Sequence, residues 1–441
     1  MDWTGLGDEA IDLLRRYLMI DTTNPPGAEI AGARFLADVL AREGLASEIV
    51  ESAPGRANLV ARLAGDGALG GVVLHHHIDV VYADRRYWTV DPFGGEIRDG
   101  FLYGRGALDM KSTGILQLVA LLALKRARVP LKRDLIFLAT ADEEAGSAYG
   151  ARFVADRHRD WLAGAEYAIS ELGAIVTPPG ARAPFASIVI SEKTALAVRL
   201  TARGAPGHAS MPWPDTAPHR LVRALGRLLD AERPTRVLPE VQEYFARMAQ
   251  ILPPVEAAGL DDLDRSLRDA AFRARFFTNR HHAALVRTSF ALTMLQGSEK
   301  SNVIPPEASA IFDCRMLPGD DPDEILGWIR GVIGDDQVEV ALESTPKVPN
   351  LSPPDSELYK AMAAVLRRRA PDAVVVPELL VAFTDNWVFR RCGLHGYGFG
   401  PFVLDDGEFR RIHGNDERIS LENVRAGVRS YVELLRAVAG A

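Results

Sequence analysis

A run of three histidines followed by an aspartate, within residues 75–79, is the densest group of side chains able to do chemistry in this sequence. On a strand, side chains alternate between the two faces, so His77 and Asp79 point the same way. A carboxylate in that position can accept the second ring N–H of a metal-binding imidazole and fix its orientation. The alternative interpretation is a polar strand end without a ligand role, and this motif alone leaves both open.

Two further motifs supply carboxylates. Residues 104–112 form a glycine-rich turn before a helical pattern, but the spacing of a phosphate-binding loop is absent. The turn would present Asp109 at the start of the helix, where its side chain either bridges two metal ions or caps the helix. Residues 142–144, Asp-Glu-Glu, follow an apolar strand. Three adjacent carboxylates repel one another unless a cation lies among them, so this turn is either a ligand group or a solvated acidic loop.

Two single residues complete the candidate set. Glu171 ends the apolar run 167–170, and His413 lies in residues 411–414. In open α/β sheets, binding sites form at the carboxyl ends of strands. Imidazole and carboxylate ligands without thiolate suit zinc, with cobalt or manganese as substitutes. Two such ions about 3.5–4 Å apart would need about five ligands and a water between them.

The elements that must position these residues alternate between strand and helix patterns in the first part of the chain. Apolar residues at three- and four-residue spacing predict helices, and short apolar runs predict strands. The predicted helices are 8–18, 30–42 and 112–126, and the predicted strands are 57–63, 71–74, 134–139 and 167–170. This alternation predicts a three-layer α/β domain.

From residue 194 the pattern changes to that of a ferredoxin-like α+β unit. Its predicted strands are 194–201, 288–295, 308–317 and 337–343, and its predicted helices are 219–231 and 321–333. A long insertion at 232–287 contains helical patches, and helices at 356–369 and 421–438 indicate that the α/β domain resumes. We therefore predict a catalytic domain formed by residues 1–193 and 346–441, with residues 194–345 inserted as a smaller domain.

The composition of the chain limits the kinds of molecule that it is expected to bind. The 441 residues carry 51 basic and 59 acidic side chains, a formal charge of −8, which argues against nucleic acid because phosphate binding needs clustered Lys and Arg. The apolar stretch 114–124 is far short of the ~18–20 residues that span a bilayer, and the N-terminus lacks the pattern of a secretory signal. Two cysteines, Cys314 and Cys392, exclude a disulfide framework. We expect a cytoplasmic protein with neither a membrane nor a nucleic-acid partner.

Taken together, the motifs resemble those of the dinuclear zinc aminoacylase and carboxypeptidase family, which includes carboxypeptidase G, acetylornithine deacetylase, succinyl-diaminopimelate desuccinylase and carnosinase-like dipeptidases. The fold that this resemblance implies, a zinc-peptidase domain interrupted by a smaller lid and dimerisation domain, agrees with the pattern described above. The matching motifs lie, in order, at residues 77–81, 88–93, 99–111, 142–144, 207–212, 302–305, 313–315, 384–385 and 412–414.

The resemblance implies a role for each matching residue of the site. Asp109 would bridge two zinc ions, with Glu143 as the general base that holds the water between them and passes its proton to the leaving nitrogen. Asp79 would orient the first histidine ligand. His75 and His76 stand where small or apolar residues are more usual and receive no metal role. The two zinc ions per chain, for which Co²⁺ or Mn²⁺ can substitute, would be held by His77, Asp109 and Glu171 on one side and by Asp109, Glu144 and His413 on the other.

The resemblance also implies substrate contacts. His208 matches the lid histidine that in dimeric members reaches the partner subunit's site and stabilises the oxyanion, which predicts a homodimer. Asn302 and Arg315 match positions that hold substrate, and the guanidinium of Arg315 would pair with a free carboxylate; a structural ion pair is the alternative. Gly398 resembles a glycine of the loop near that carboxylate, or belongs to a plain turn. Leu172 departs from the family pattern, because relatives often carry a glycine there.

The predicted function is zinc-dependent hydrolysis of the amide bond of N-acyl amino acids, small molecules with a free carboxylate, through a water held between the two metal ions. Two alternatives stay open: a dipeptidase or carboxypeptidase acting on short peptides, and a catalytically silent binding protein that keeps the fold. The insertion at 232–287 favours a bulky or hydrophobic acyl group, since it could enlarge or cover the acyl pocket.

Overall fold

The computed structural model describes residues 1–343 and 351–440, so the predicted domain boundary at 345/346 lies outside the described residues. The part before residue 194 contains α1 Trp3–Leu18, α2 Glu29–Arg42, β1 Ser47–Ala53, β2 Arg56–Leu63, β3 Gly71–His77, β4 Ile97–Arg98, β5 Phe101–Tyr103, α3 Lys111–Arg126, β6 Leu135–Thr140, α4 Ala151–Arg157, β7 Ala165–Ser170, β8 Ile175–Val176 and β9 Phe185–Glu192. The middle part contains β10 Thr194–Arg203, β11 Gly207–His208, α5 Ala217–Asp230, α6 Pro239–Met248, α7 Pro254–Ala257, α8 Leu263–Ser266, α9 Ala270–Phe276, α10 Arg280–Leu285, β12 Ser289–Gln296, β13 Val303–Ile304, β14 Glu307–Met316, α11 Pro322–Ile333 and β15 Val338–Leu342. The last part contains α12 Glu357–Arg369, β16 Val374–Leu380, α13 Asn386–Arg391, β17 His395–Gly398, β18 Val403–Leu404, α14 Asp406–Phe409, β19 Arg418–Ser420 and α15 Leu421–Ala439.

Ten strands form one mixed sheet, called here the large sheet. Their order is β1-β2-β6-β3-β7-β17-β9-β8-β18, and β16 also pairs with β9. The central strands β6, β3, β7 and β17 run parallel to one another. Both β3 and β6 are buried along their whole length, as is typical of parallel strands with both faces covered. Their carboxyl ends therefore meet at one edge of the sheet.

Helices cover both faces of the large sheet, which gives the predicted three layers. On one face, α1, α3 and α15 pack against one another and form a core with Val72 and Leu74 of β3. On the other face, α4 and α13 pack around Val73 of the same strand. Alternate residues of a strand point to opposite faces, so these neighbours belong to different cores. Nearly all of α3 is buried, including its polar residues Lys111 and Gln117.

A second sheet of four antiparallel strands, called here the small sheet, has the order β12-β14-β10-β15. Burial alternates along β10, and its inward residues pack with α5 and α11 around Phe312. A two-stranded ribbon of β11 and β13 accompanies it. The predicted fold class, an α/β catalytic architecture with a ferredoxin-like second unit, is confirmed. The exact domain boundaries stay a prediction.

The insertion at 232–287 folds as α6 to α10 and packs on the large sheet. Val241 and Phe245 of α6 share a core with Leu379 of β16, and Met248 shares another with Val376 of the same strand. The insertion thus covers an outlying strand of the large sheet. Among the described residues, no helix is both long and apolar enough to cross a bilayer.

Candidate metal centre

Three of the five predicted metal ligands lie at or shortly after the carboxyl end of a central strand of the large sheet. His77 is the last residue of β3, and Glu171 directly follows β7. Glu144 lies in a single 3-10 turn just after β6, and Asp109 lies two residues before the start of α3. The fifth, His413, comes from the loop between α14 and β19. The parallel strands of the sheet thus bring together residues that are far apart in the sequence.

Asp109 stands between the two predicted imidazole ligands. Its Oδ1 lies 3.1 Å from Nε2 of His77, and its Oδ2 lies 3.1 Å from Nε2 of His413. The Nε2 atom of His77 is also 3.6 Å from Oε2 of Glu171, and that of His413 is 3.2 Å from Oε2 of Glu144. A carboxylate whose two oxygens face two different sets of ligands has the geometry needed to bridge two cations.

Two overlapping groups of ligand atoms are close enough to hold a metal ion. In each, the three ligand atoms lie within 4.8 Å of one another: His77, Glu143 and Glu171 in the first, and His77, Asp109 and Glu144 in the second. Glu143, the predicted general base, therefore also lies within reach of a metal ion.

The cluster holds more negative charge than its own residues balance. Burial, followed by the charge of Asp109, raises the pKa of Glu171 to about 8. Burial and the nearby Glu171 carboxylate raise the pKa of Glu143 well above its usual value. Hydrogen bonds to Asp109 and Glu144 raise the pKa of His413 to about 10, and Oε1 of Glu144 is buried without a partner. Divalent cations fit this set of nitrogen and carboxylate donors, because they would supply the missing positive charge.

The structure corrects the way in which Asp79 was expected to act. The Nδ1–H of His77 donates to the main-chain carbonyl of Asp79 at 2.9 Å, whereas the nearest carboxylate oxygen is 3.6 Å away. This hydrogen bond still fixes the ring and leaves the Nε2 lone pair for a metal ion. The Asp79 carboxylate instead accepts the main-chain N–H groups of Glu143 and Glu144, each at 3.2 Å. Asp79 therefore fixes both the imidazole and the turn that carries the two glutamates.

The three adjacent acidic residues of the turn have different partners. The Asp142 carboxylate accepts hydrogen bonds from Arg56 at 2.8 Å and from the Asn24 amide at 3.1 Å. Asn24 also donates to Asp79 at 2.9 Å. Asp142 is thus a structural residue, while the glutamates that follow it face the metal cluster.

Glu417 is a buried residue of the site that the sequence interpretation missed. Its carboxylate accepts the N–H groups of Gly106, Leu108 and Asp109 at 2.7–3.0 Å and pairs with Arg105 at 2.7 Å. This carboxylate therefore shapes the turn that presents Asp109. Its place four residues after His413 is the one signal in the sequence that points to it.

Asp385 is a second missed residue, although its motif was noted. Its carboxylate accepts the hydroxyl hydrogens of Ser147 and of Thr140, and lies 3.3 Å from Nε2 of His75. The other ring nitrogen of His75 is 2.8 Å from the hydroxyl of Ser170, the residue before Glu171. His75 thus belongs to a buried network behind the cluster, in agreement with the absence of a predicted metal role.

The predicted substrate residues His208 and Asn302 lie beside each other near the ribbon. His208 is exposed in β11, and the N–H of Ala209 donates to the carbonyl of Asn302 at 3.1 Å. The N–H of Ser210 donates to Nδ1 of His208 at 3.1 Å, which places the hydrogen of the neutral ring on Nε2. His208 is thereby set up as a hydrogen-bond donor through Nε2.

The two remaining predicted residues have structural partners. Arg315 forms a forked ion pair with Asp313, with distances of 2.7 and 3.0 Å, which is the alternative noted above, and its guanidinium carbon is 5.6 Å from the centre of the Phe383 ring. Gly398 is buried in β17, where a side chain would come within 2.2 Å of the carbonyl oxygen of Glu171. The absence of a side chain at 398 therefore lets the strand pass close to a predicted ligand.

Comparison with known proteins identifies the family to which the chain belongs. A family model described as Peptidase family M20/M25/M40 matches residues 73–437, so the chain belongs to this family. The resemblance inferred from the motifs is confirmed, and so is the predicted enzyme class, a metal-dependent hydrolase of amide or peptide bonds. Metal dependence is a property of the family, and one solved member is described as a dinuclear metal-binding peptidase.

Individual relatives carry several names. The chain is 30% identical over 381 residues to the N-fatty-acyl-amino acid synthase/hydrolase PM20D1 of Mus musculus, covering 84% of this chain and 75% of the relative. It is 29% identical to human Aminoacylase-1 over 444 residues, covering 98% and 95%. Among solved structures, the M20 metallo-carboxypeptidase Sso-CP2 of Sulfolobus solfataricus matches with a TM-score of 0.70 at 18% identity, covering 98% and 99%. Human carnosine dipeptidase 1 matches with a TM-score of 0.65 at 18% identity, covering 99% and 98%. At these identities the solved structures show the shared fold.

Proposed function

We propose that this protein hydrolyses the amide bond of N-acyl amino acids with two zinc ions held by His77, Asp109, Glu144, Glu171 and His413. The observation that carries the proposal is the position of Asp109, whose two carboxylate oxygens each face a different imidazole at 3.1 Å. Similarity to Aminoacylase-1 over nearly the whole of both chains supports the substrate class. When bound, the ions would polarise the amide carbonyl and lower the pKa of a water near them.

The chain's own residues supply the other steps of the proposed mechanism. Glu143 accepts a proton from the attacking water and delivers it to the leaving nitrogen, and the buried surroundings that raise its pKa suit a group that must hold a proton. Asp79 keeps Glu143 in place by accepting its main-chain N–H. His208 donates from Nε2 to the carbonyl oxygen as negative charge develops there. Arg315 exchanges Asp313 for the carboxylate of the substrate, and Asn302 and Gly398 are the further residues proposed to contact the substrate.

We also propose a homodimer, because an exposed histidine on the ribbon would then reach the site of the partner subunit. Apolar side chains exposed on the small-sheet unit support this. Val222 and Leu229 are 66% and 50% exposed and lie seven residues apart on one face of α5. Met294 and Leu295 are exposed on β12, which is an edge strand of the small sheet. A cytoplasmic location stays a prediction.

A peptidase acting on short peptides is the second candidate function, supported by Sso-CP2 and carnosine dipeptidase 1, whose fold the chain shares. The zinc-loaded protein should therefore be offered two matched pools, N-acyl amino acids and dipeptides with the same C-terminal residues, and amino-acid release should be measured. We expect release chiefly from the first pool. Release chiefly from dipeptides would replace the acylase proposal with the peptidase proposal. No release from either pool, with zinc bound, would contradict both proposed functions.

A further inference from the structure

A small apolar cavity opens beside the candidate metal centre. Its volume is about 20 Å³, about the space of one water molecule or one methyl group. Glu171 lines one side of it, and three of its apolar residues, Leu108, Leu172 and Ile412, are each the chain neighbour of a proposed metal ligand. Further side chains of the lining are Phe402, Leu404 and Phe409, with Thr113 as its one polar uncharged residue. The cavity is therefore an apolar recess next to the reacting centre.

Leu172 occupies this lining in an unusual backbone conformation. Its φ of +68° lies in the left-handed region, which a bulky L residue rarely adopts. The next residue, Gly173, also has a positive φ, and a side chain there would come within 2.7 Å of the carbonyl oxygen of Ser187 in β9. The close approach to β9 fixes the backbone of this turn, and glycine at 172 would suit the same backbone better. A leucine held there despite the strain suggests that its side chain has a function.

We propose that this cavity receives a short apolar group of the substrate next to the scissile bond, and that Leu172 sets the length of that group. The proposal rests on the proposed amide hydrolysis and names the substrate class more narrowly. A methyl group fits the space present, whereas a longer chain has to displace Leu172 or the half-exposed Phe409. The insertion at 232–287, expected above to favour bulky acyl groups, packs on β16 and does not line this recess.

Two parts of an N-acyl amino acid could supply the apolar group, namely the acyl chain and the amino-acid side chain. The test therefore uses two substrate series. One varies the acyl group on alanine from acetyl through butyryl and hexanoyl to octanoyl. The other keeps the acetyl group and varies the amino acid from glycine through alanine and norvaline to 2-aminooctanoic acid. The series whose length dependence changes in the variants identifies which part enters the cavity.

The variants are Leu172→Gly, which opens the cavity and relieves the positive φ, and Leu404→Ala, which opens it from another wall. Arg128→Gly is the matched control, because exposed Arg128 also has a positive φ of +49° but lies outside the cavity. We expect kcat/KM of the wild type and the control to fall with length in one series. In both cavity variants, kcat/KM should rise about fourfold for each added methylene that becomes buried. Most of this rise should come from a lower KM rather than from a higher kcat.

A length profile that is the same in the wild type and in both cavity variants, while hydrolysis proceeds, would overturn the cavity proposal and leave the proposed function standing. If the wild type hydrolyses no member of either series, the proposed function fails. Calorimetric binding to the zinc-loaded proteins then decides the cavity proposal separately, with acetate against hexanoate and alanine against 2-aminooctanoic acid as probes. Tighter binding of the longer probe to Leu172→Gly than to the wild type supports the proposal, and equal binding contradicts it.

Discussion

The carboxylate cluster at the edge of the large sheet carries the proposed metal ligands, and the ribbon beside the small sheet carries a proposed substrate contact. The two regions differ in how far their side chains are buried. His77, Asp109 and Glu171 are buried, and each of these side chains faces at least one other member of the cluster. His208 is exposed on a strand of two residues, and its ring is fixed by neighbouring Ser210. The proposed metal ligands thus all come from one chain, whereas the proposed homodimer would bring His208 to the site of the partner subunit. Substitutions of the proposed ligands in the first region should weaken metal binding, whereas substitutions in the second should slow turnover with metal in place.

The largest effect is expected for Asp109→Asn. The amide has no second oxygen and no negative charge with which to bridge two ions, so zinc affinity should fall by more than about 100-fold, since even residues behind a ligand are worth about 10- to 100-fold. Zinc content after dialysis measures this. Asp12→Asn, at an exposed carboxylate paired with Arg16, is the control. Unchanged zinc content in Asp109→Asn would refute the bridging role.

Glu143→Gln should keep the metal and lose turnover. Removing a general base costs about 10² to 10⁴ in rate, so kcat should fall by that amount while zinc content stays at the wild-type level. Because Glu143 lies within ligand reach of His77 and Glu171, zinc analysis of the same sample is essential. A parallel loss of zinc would make Glu143 a ligand and would leave the base unidentified.

His208→Ala should lower kcat by about 10² to 10³, the cost of losing one donor to an oxyanion, without changing zinc content. If His208 acts across a dimer, mixing this variant with Glu143→Gln restores activity, because a mixed dimer contains one intact site. Random exchange gives half mixed dimers, so recovery should approach about a quarter of the wild-type activity. Mixtures that remain inactive after subunit exchange has been verified would confine His208 to its own chain's site or exclude it.

Asp385→Asn should have the smallest effect of the four. The substitution weakens the buried network that holds Ser147 and His75, so we expect a loss of about 1–3 kcal/mol in the free energy of unfolding and about a tenfold loss in zinc affinity. Competition with a chelator measures the affinity. Asp156→Asn, which breaks an exposed pair with Arg391, should change neither quantity appreciably. Lower stability with unaltered zinc affinity would reduce Asp385 to a purely structural residue.

Elements with strong local patterns could be predicted from the sequence. The predicted strand at 57–63 and the predicted helix at 112–126 each differ from β2 and α3 by one residue. The patterns for β9 and β16 were overlooked, and Pro377 within β16 weakens a strand pattern although the strand pairs with β9. The short strands β8, β17 and β18 contain two to four residues, too few for periodicity to be recognised.

Within the site, the residue types could be predicted but not all their contacts. Strand β3 ends at His77, so Asp79 lies beyond it and presents its carbonyl to the ring, with its carboxylate 3.6 Å from the same ring nitrogen. Glu417 and Asp385 contact residues more than 200 positions away in the sequence. Those contacts form only after the sheet has assembled, so no local sequence pattern predicts them.

Strand β17 has a consequence for how the protein is made. It comes from the last part of the chain, yet it lies in the middle of the large sheet, between β7 and β9. Until residues 395–398 have left the ribosome, β7 and β9 present unpaired edges to each other, and exposed edges invite pairing with other chains. The nascent polypeptide therefore passes through a long stage in which its sheet is split and β7, which precedes Glu171, is paired with β3 alone. The catalytic centre is completed late in synthesis, and a chain cut short before β17 would be prone to aggregate.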